Sequence, residues 1–68
     1  MTNMFAERLK ELRLEKEIPQ ERLAEELGVG NGTISLWETG KREPKLSNLM
    51  IIAEYFGVSI DYLAGLEN

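Results

Sequence analysis

Cysteine and histidine are both absent from the 68-residue chain. Without them the chain can form neither a disulfide framework nor a thiolate or imidazole metal site. The same absences exclude a cysteine nucleophile and a histidine general base, and the remaining ionisable side chains show no convergent arrangement. We therefore expect no metal, no cofactor, no small-molecule substrate and no enzymatic activity.

Long apolar stretches are also missing. The longest one covers only residues 49–53, whereas a membrane-spanning helix needs about 20 apolar residues. Charged residues fill most of positions 7–11, where a signal peptide would carry its apolar segment. With 43% hydrophobic and 29% charged residues, the sequence is typical of a single globular domain over residues 1–68, in the cytoplasm and without membrane contact.

Positive charge is scarce. The 8 lysines and arginines are outnumbered by 12 aspartates and glutamates, which gives a net charge of −4. A protein that binds nucleic acid without sequence preference is usually basic. The charge is uneven, however, because residues 41–45 carry +2 while residues 19–40 and 46–68 each carry −3. This distribution predicts a small basic footprint and a weak non-specific affinity, and it does not exclude DNA as a partner.

Apolar residues recur at helical spacing through nearly the whole chain, as Phe5, Leu9 and Leu12 do near its start. Proline and glycine then mark where helices end. The first predicted helix ends near Glu17, before Pro19, and the second covers Gln20–Leu27, before Gly28. The third covers Thr33–Glu38. The fourth covers residues 46–56, before Gly57, and the fifth is capped by Ser59. The pattern predicts an all-α, compact five-helix bundle, with Leu46 in the apolar stripe of the fourth helix.

Residues 20–38 form the most informative unit. Ala24 is small enough to let two helices approach, and Gly28 suits a backbone of positive φ between them. Ile34 and Trp37 are spaced to hold the second of these helices against a core. This combination is typical of a helix-turn-helix.

Three linked motifs resemble the phage repressor and Cro type of helix-turn-helix, the XRE family, over about residues 5–66. They read Gln-Glu-Arg-Leu-Ala-Glu-Glu-Leu-Gly-Val from residue 20, Thr-Ile-Ser-x-Trp-Glu-x-Gly-Lys-Arg-x-Pro from residue 33, and Leu-x-x-Ile-Ala-x-x-Phe-Gly-Val-Ser-Ile-Asp-x-Leu from residue 49. An unrelated helical bundle would share the apolar periods but not the separations of Gly28, Gly40 and Pro44. The resemblance implies a lambda-repressor-like DNA-binding domain.

The same resemblance implies a set of DNA contacts. Side chains at the start of the third helix would enter the major groove, where an asparagine can read adenine. The implied DNA-binding residues are Gln20, Asn31, Gly32, Thr33, Ser35, Leu36, Lys41, Arg42 and Lys45, with Arg8 and Lys10 as weaker additions. The alternatives are that Asn31 and Gly32 only shape a turn, and that residues 41–45 are an ordinary solvated loop.

Two further features are implied by the resemblance. Arg13 and Glu38 match an internal salt bridge between the first helix and the end of the third. Residues of about 57–66 match a dimer region, represented by Val58, Ile60, Tyr62 and Leu66, unless Ile60 and its neighbours simply complete the core. A two-fold homodimer would place two third helices about 34 Å apart on a (pseudo)palindromic operator.

The chain departs from the family at its helix starts. Three positions where the family usually has a serine or threonine N-cap hold Pro19, Gly30 and Lys45 here. The resemblance also places Gly32 inside the third helix, ahead of the start at Thr33 that the apolar spacing predicts, and glycine there costs about 1 kcal/mol. We expect a sequence-specific DNA-binding transcriptional regulator, acting as a repressor. The alternative is a protein-interaction module with little DNA affinity, because the net charge of the chain is negative and residues 31–36 lack basic side chains.

Overall fold

The computed structural model describes residues 4–67, which form five α-helices joined by short turns. The helices are α1 (Phe5–Glu15), α2 (Gln20–Leu27), α3 (Thr33–Glu38), α4 (Leu46–Phe56) and α5 (Ile60–Ala64). The all-α five-helix prediction is confirmed. None of these helices has the length and apolar character needed to cross a membrane.

Each helix contributes one aliphatic side chain to the centre of the core. These five residues are at most 1% exposed: Leu9, Leu23, Ile34, Ile52 and Leu63. Burying one such side chain completely contributes roughly 1.5–3 kcal/mol. Trp37 joins them at 2% exposure, and its ring meets that of Phe5 edge to face at 6.2 Å. Through this pair α3 packs on α1, although α3 is too short to be stable alone.

The first helix ends earlier than the proline predicts. It stops at Glu15, and Glu17 adopts a left-handed conformation with φ of 58°. The N–H of Ile18 donates to the carbonyl oxygen of Arg13 at 3.4 Å, which closes the helix end in a Schellman turn. Pro19 therefore lies beyond the turn and acts as the N-cap of α2. Among residues 4–67, Glu17 is the one residue other than glycine with positive φ.

The N-cap of α3 also differs from what the family resemblance implies. Helix α3 begins at Thr33, as the apolar spacing predicts, but the family resemblance implied Gly30 as the N-cap and Gly32 as a helical residue. The N-cap is instead Gly32, with φ of 88°. A residue other than glycine is strained at this φ. Gly32 is therefore required by the turn and does not weaken the helix interior.

The remaining helix ends agree better with the sequence. Gly28 and Gly57 close α2 and α4 in left-handed conformations, as predicted. Ser59 caps α5, since its hydroxyl oxygen accepts a hydrogen bond from the Tyr62 N–H at 2.9 Å. The prediction that Leu46 belongs to the apolar stripe of the fourth helix is wrong. Leu46 is the first residue of α4 and is 66% exposed, because it lies beyond the edge of the core.

Candidate nucleic-acid interface

Three side chains fix the end of α3, and we call them the brace: Arg13, Glu38 and Gln20. Arg13 donates from Nε to Glu38 Oε2 at 2.7 Å and from Nη2 to Glu38 Oε1 at 3.1 Å. Gln20 donates from Nε2 to Glu38 Oε1 at 3.0 Å. The side chains of Arg13 and Glu38 are only 10% and 3% exposed. The brace thus joins α3 to α1 and to the first turn of α2, as the resemblance implies for Arg13 and Glu38.

Electrostatics inside the brace favour the charged arginine. The hydrogen bond to Glu38 raises the pKa of Arg13, against the opposing effect of burial. Arg13 also donates from Nη1 to the carbonyl oxygen of Ile18 at 3.0 Å. Each polar group of the pair is therefore matched, which is the condition for a buried ion pair to be tolerated.

The two faces of α3 have different roles. Ile34 and Trp37 point into the core. Thr33, Ser35 and Leu36 are half-buried, while Asn31 and Gly32 are exposed in the turn that leads into the helix. The predicted base-contacting residues therefore occupy the turn and the outer side of α3.

Two shallow clefts flank the start of α3. The first has a volume of about 100 Å³ and is lined by Gln20, Glu21, Asn31, Gly32, Ile34 and Ser35. The second has a volume of about 230 Å³ and is lined by Val29, Thr33, Trp37, Arg42, Glu43, Pro44, Lys45 and Asn48. The structure thus brings together Gln20, Asn31 and Ser35 on one side of α3, and Thr33, Arg42 and Lys45 on the other.

Residues 41–45, which we call the basic loop, are tied directly to α3. The backbone N–H groups of Lys41 and Arg42 both donate to the carbonyl oxygen of Leu36, at 3.0 and 3.2 Å. Thr39 supports the same helix end, because its hydroxyl donates to the Ser35 carbonyl oxygen at 2.8 Å. The loop is therefore held at a fixed position relative to α3.

The structure separates cations that are already engaged from those that are available. Arg8, Arg13, Lys16 and Arg22 contact a carboxylate, a carbonyl oxygen or an aromatic ring. Within residues 4–67, the other four cations form no salt bridge: Lys10, Lys41, Arg42 and Lys45. Three of these four lie in the basic loop, so the positive charge available to an external anion is concentrated beside α3.

Arg8 is a correction to the sequence analysis. It was a weaker candidate for a phosphate contact, but its guanidinium lies 4.2 Å from the centre of the Tyr62 ring. Its Nη1 also donates to the backbone oxygens of Tyr62 and Glu67. Arg8 therefore links α1 to the end of α5, while Lys10 remains exposed.

Two acidic residues of the clefts were missed by the sequence analysis. Glu21 lies in the first cleft with Gln20, and Glu43 lies in the second with Arg42. Their sequence neighbours were already candidates, so adjacency alone could have indicated them. A carboxylate in either cleft opposes the approach of a phosphate.

The predicted dimer residues differ in how much surface they offer. Val58 and Ile60 are half-buried and pack against the core, in agreement with the alternative that they complete it. Tyr62 is half-buried beneath Arg8, whereas Leu66 is 70% exposed. The dimer stays a prediction, and it now depends mainly on Leu66.

The fold and the arrangement around α3 define a helix-turn-helix protein. The pattern of the helix-turn-helix family matches residues 9–63, and the chain belongs to this family. Its resemblance to phage repressors is also confirmed. The chain superposes on the crystal structure of the P22 c2 repressor in complex with a synthetic operator with a TM-score of 0.87, at 33% identity, covering 97% of this chain and 100% of that one.

Two sequence relatives are named as regulators of opposite sign. The chain is 46% identical to the HTH-type transcriptional activator BcrR of Enterococcus faecalis over 59 residues, which are 87% of this chain and 29% of BcrR. It is 37% identical to the cryptic phage CTXphi transcriptional repressor RstR of Vibrio cholerae over 57 residues, which are 84% of this chain and 51% of RstR. This chain therefore spans about half of RstR or less than a third of BcrR.

Proposed function

We propose that the chain is a sequence-specific DNA-binding transcriptional regulator that represses by occupying an operator. The observation that carries this proposal is the position of the available cations, three of which lie in a loop hydrogen-bonded to α3. A helix with uncharged polar side chains beside a basic loop matches the division of labour in DNA recognition. Phosphate contacts position the protein, and base contacts select the sequence.

In this proposal α3 enters the major groove. Asn31 and Thr33 face base edges, and Leu36 contacts a thymine methyl group. Gln20 meets the phosphates on one side of α3, and Lys41, Arg42 and Lys45 meet those on the other side. The brace sets the angle of α3, so that both sets of phosphate contacts form at once.

Two of the three named relatives support repression and a double-stranded DNA partner, whereas BcrR is named an activator. The P22 c2 repressor is similar over nearly the whole chain and was crystallised with an operator, and RstR is named a repressor. A two-fold homodimer on a (pseudo)palindromic operator is the finer part of the proposal. Two copies of α3 would then lie about 34 Å apart, one turn of DNA.

The deciding experiment is selection from randomised duplex DNA, followed by affinity measurements on the enriched sequence at two salt concentrations. We expect one enriched motif whose affinity falls as salt rises, because phosphate contacts release counterions. Absence of both an enriched motif and salt-sensitive binding would refute the proposal and favour a protein-interaction module. Transcription in vitro from a promoter overlapping the motif should decrease; an increase would refute repression.

The dimer has its own test. Leu66→Glu places a charge on an exposed side chain of the predicted dimer region, and Leu14→Glu is a matched control on an exposed leucine of α1. Light scattering on the DNA complex should show two chains for the parent and for Leu14→Glu. Leu66→Glu should weaken the second binding event. One chain per site for the parent would exclude the homodimer.

A further inference from the structure

An open groove of about 530 Å³ lies between α2 and α4, on a part of the molecule that the proposed DNA contacts do not use. It is lined by Glu26, Leu27, Ser47, Met50, Ile51, Glu54 and Tyr55. No residue of α3 or of the basic loop is among them. The groove thus stays open when α3 and the loop are engaged.

The floor and walls of the groove are apolar. Leu27 is buried at its base, while Met50 and Ile51 are 57% and 46% exposed on neighbouring positions of α4. Tyr55 is half-buried and adds an aromatic wall. Methionine adapts its shape to different partners, which suits a binding surface. An exposed cluster of this kind, rimmed by polar groups, is characteristic of an interaction site.

In the part of the chain that the structure describes, the rim of the groove carries one unpaired carboxylate, Glu54. Two of its seven lining residues are carboxylates and none is a cation. Two cations stand beside the rim, because Arg22 forms a salt bridge with Glu26 and Lys16 Nζ lies 4.8 Å from the centre of the Tyr55 ring. Glu54 is exposed and forms no salt bridge within residues 4–67. An unpaired carboxylate at this place opposes the approach of a phosphate. It also disfavours a second copy of a chain whose net charge is −4.

We infer that this groove docks a segment of another protein that presents apolar side chains flanked by lysine or arginine. The apolar groups would cover Met50, Ile51 and Tyr55, and a cation would face Glu54. Because the groove and α3 occupy different parts of the surface, the chain could hold DNA and this partner together. The inference does not depend on the proposed function, because docking requires no DNA.

The test uses two synthetic helical peptides. One carries leucines on one face flanked by lysines, and the other replaces each lysine with glutamate. Fluorescence anisotropy with the full chain should show the lysine peptide binding at least about tenfold more tightly, because charge complementarity sets the preference. Backbone amide shifts on addition of the lysine peptide should centre on residues 47–55.

Matched variants separate the groove from general attraction to an acidic protein. Glu54→Lys should reverse the preference between the peptides, while Glu11→Lys makes the same charge change on exposed α1 and should leave it intact. Ile51→Ser should weaken the lysine peptide about tenfold, since apolar burial is lost. Leu14→Ser should not weaken it, although Leu14 is 55% exposed.

Several outcomes would overturn the inference. Equal affinity for the two peptides, equal effects of Glu54→Lys and Glu11→Lys, or shifts centred outside the groove would each do so. A parent chain that doubles its mass in light scattering, and loses this with Ile51→Ser, would show that a second copy occupies the groove instead.

Discussion

The guanidinium of Arg8 lies 4.2 Å from the centre of the Tyr62 ring and joins the first helix to the last. The same guanidinium donates hydrogen bonds to the backbone oxygens of Tyr62 and Glu67. Helix α5 has only five residues and would not persist without tertiary contacts. Arg8 therefore helps to hold the end of the bundle closed.

Arg8→Met should remove this link while keeping most of the apolar stem. We expect the free energy of unfolding to fall by about 1–2 kcal/mol, from the lost charged hydrogen bonds and cation–π contact. Urea denaturation would measure the loss, and amide hydrogen exchange should accelerate first in α5. Lys10→Met removes an exposed charge from the same helix and should have little effect. Equal losses in the two variants would contradict the role of Arg8.

Arg42→Ala should weaken binding to every DNA sequence, because a phosphate contact carries no base information. The slope of log affinity against log salt should become shallower by about 0.9, the value for one phosphate contact. Lys16→Ala is the control, since it removes an equal charge from a side chain that lies over the Tyr55 ring. A change confined to one base pair would contradict the phosphate role of Arg42.

Glu38→Gln should destabilise the fold by roughly 3 kcal/mol, because it leaves Arg13 buried without its anion. The double variant Arg13→Met with Glu38→Leu should recover much of this loss, since no charge is then buried. Thermal and urea unfolding followed by circular dichroism would test both. If the double variant lost as much stability as the two single variants added together, Arg13 and Glu38 would not act as a pair.

Glu17→Gly should stabilise the chain by about 1 kcal/mol, because glycine adopts the left-handed conformation without strain. Glu15→Gly is the control, since Glu15 is helical and exposed. Glycine at this helical position should destabilise the chain by about 1 kcal/mol. The two variants lose the same charge and differ in backbone conformation. Destabilisation by Glu17→Gly would contradict the left-handed assignment.

The hydrogen bond from the Tyr55 hydroxyl to Glu26 should make stability depend on pH at both extremes. This bond lowers the pKa of Glu26 below its usual 4.5 and raises the pKa of Tyr55 above its usual 10.0. The contribution of Glu26 is present above its usual pKa and is lost as pH falls through the lowered value. That of Tyr55 is present below its usual pKa and is lost as pH rises through the raised one.

The stability difference between the parent and Tyr55→Phe should therefore be largest between pH 4.5 and 10.0, and smaller in acid and alkali. Urea denaturation across this range would measure it. Tyr62→Phe is the control, because it removes a tyrosine hydroxyl that forms no hydrogen bond within residues 4–67. A difference for Tyr55→Phe that stays constant would exclude the coupling.

The parts of the fold that could be predicted are those with a local chemical signal. Gly28 and Gly57 end their helices because glycine adopts positive φ readily, and Ser59 caps α5 because its hydroxyl accepts from a free N–H. Glu17 carries no such signal, so the end of α1 was predicted too late. At Gly30 and Gly32 the signal was ambiguous, and only the backbone angle distinguishes the cap.

The site was predictable only where the family resemblance supplied a long-range pairing. Arg13 and Glu38 were paired in that way. Arg8 was not, because an alternating-charge helix gives no indication which of its cations reaches across the bundle to Tyr62. Glu21 and Glu43 could have been indicated by their neighbours Gln20 and Arg42, but their position in the clefts depends on tertiary geometry.

The single tryptophan has a practical consequence for these measurements. Trp37 lies on the inner face of α3, 2% exposed and in edge contact with Phe5. Its emission should therefore be blue-shifted in the folded chain and move to longer wavelength on unfolding, so that no dye is needed. Because Trp37 also lines the cleft that contains Arg42 and Lys45, its emission reports on folding in the free chain, and loss of binding is measured separately on the DNA.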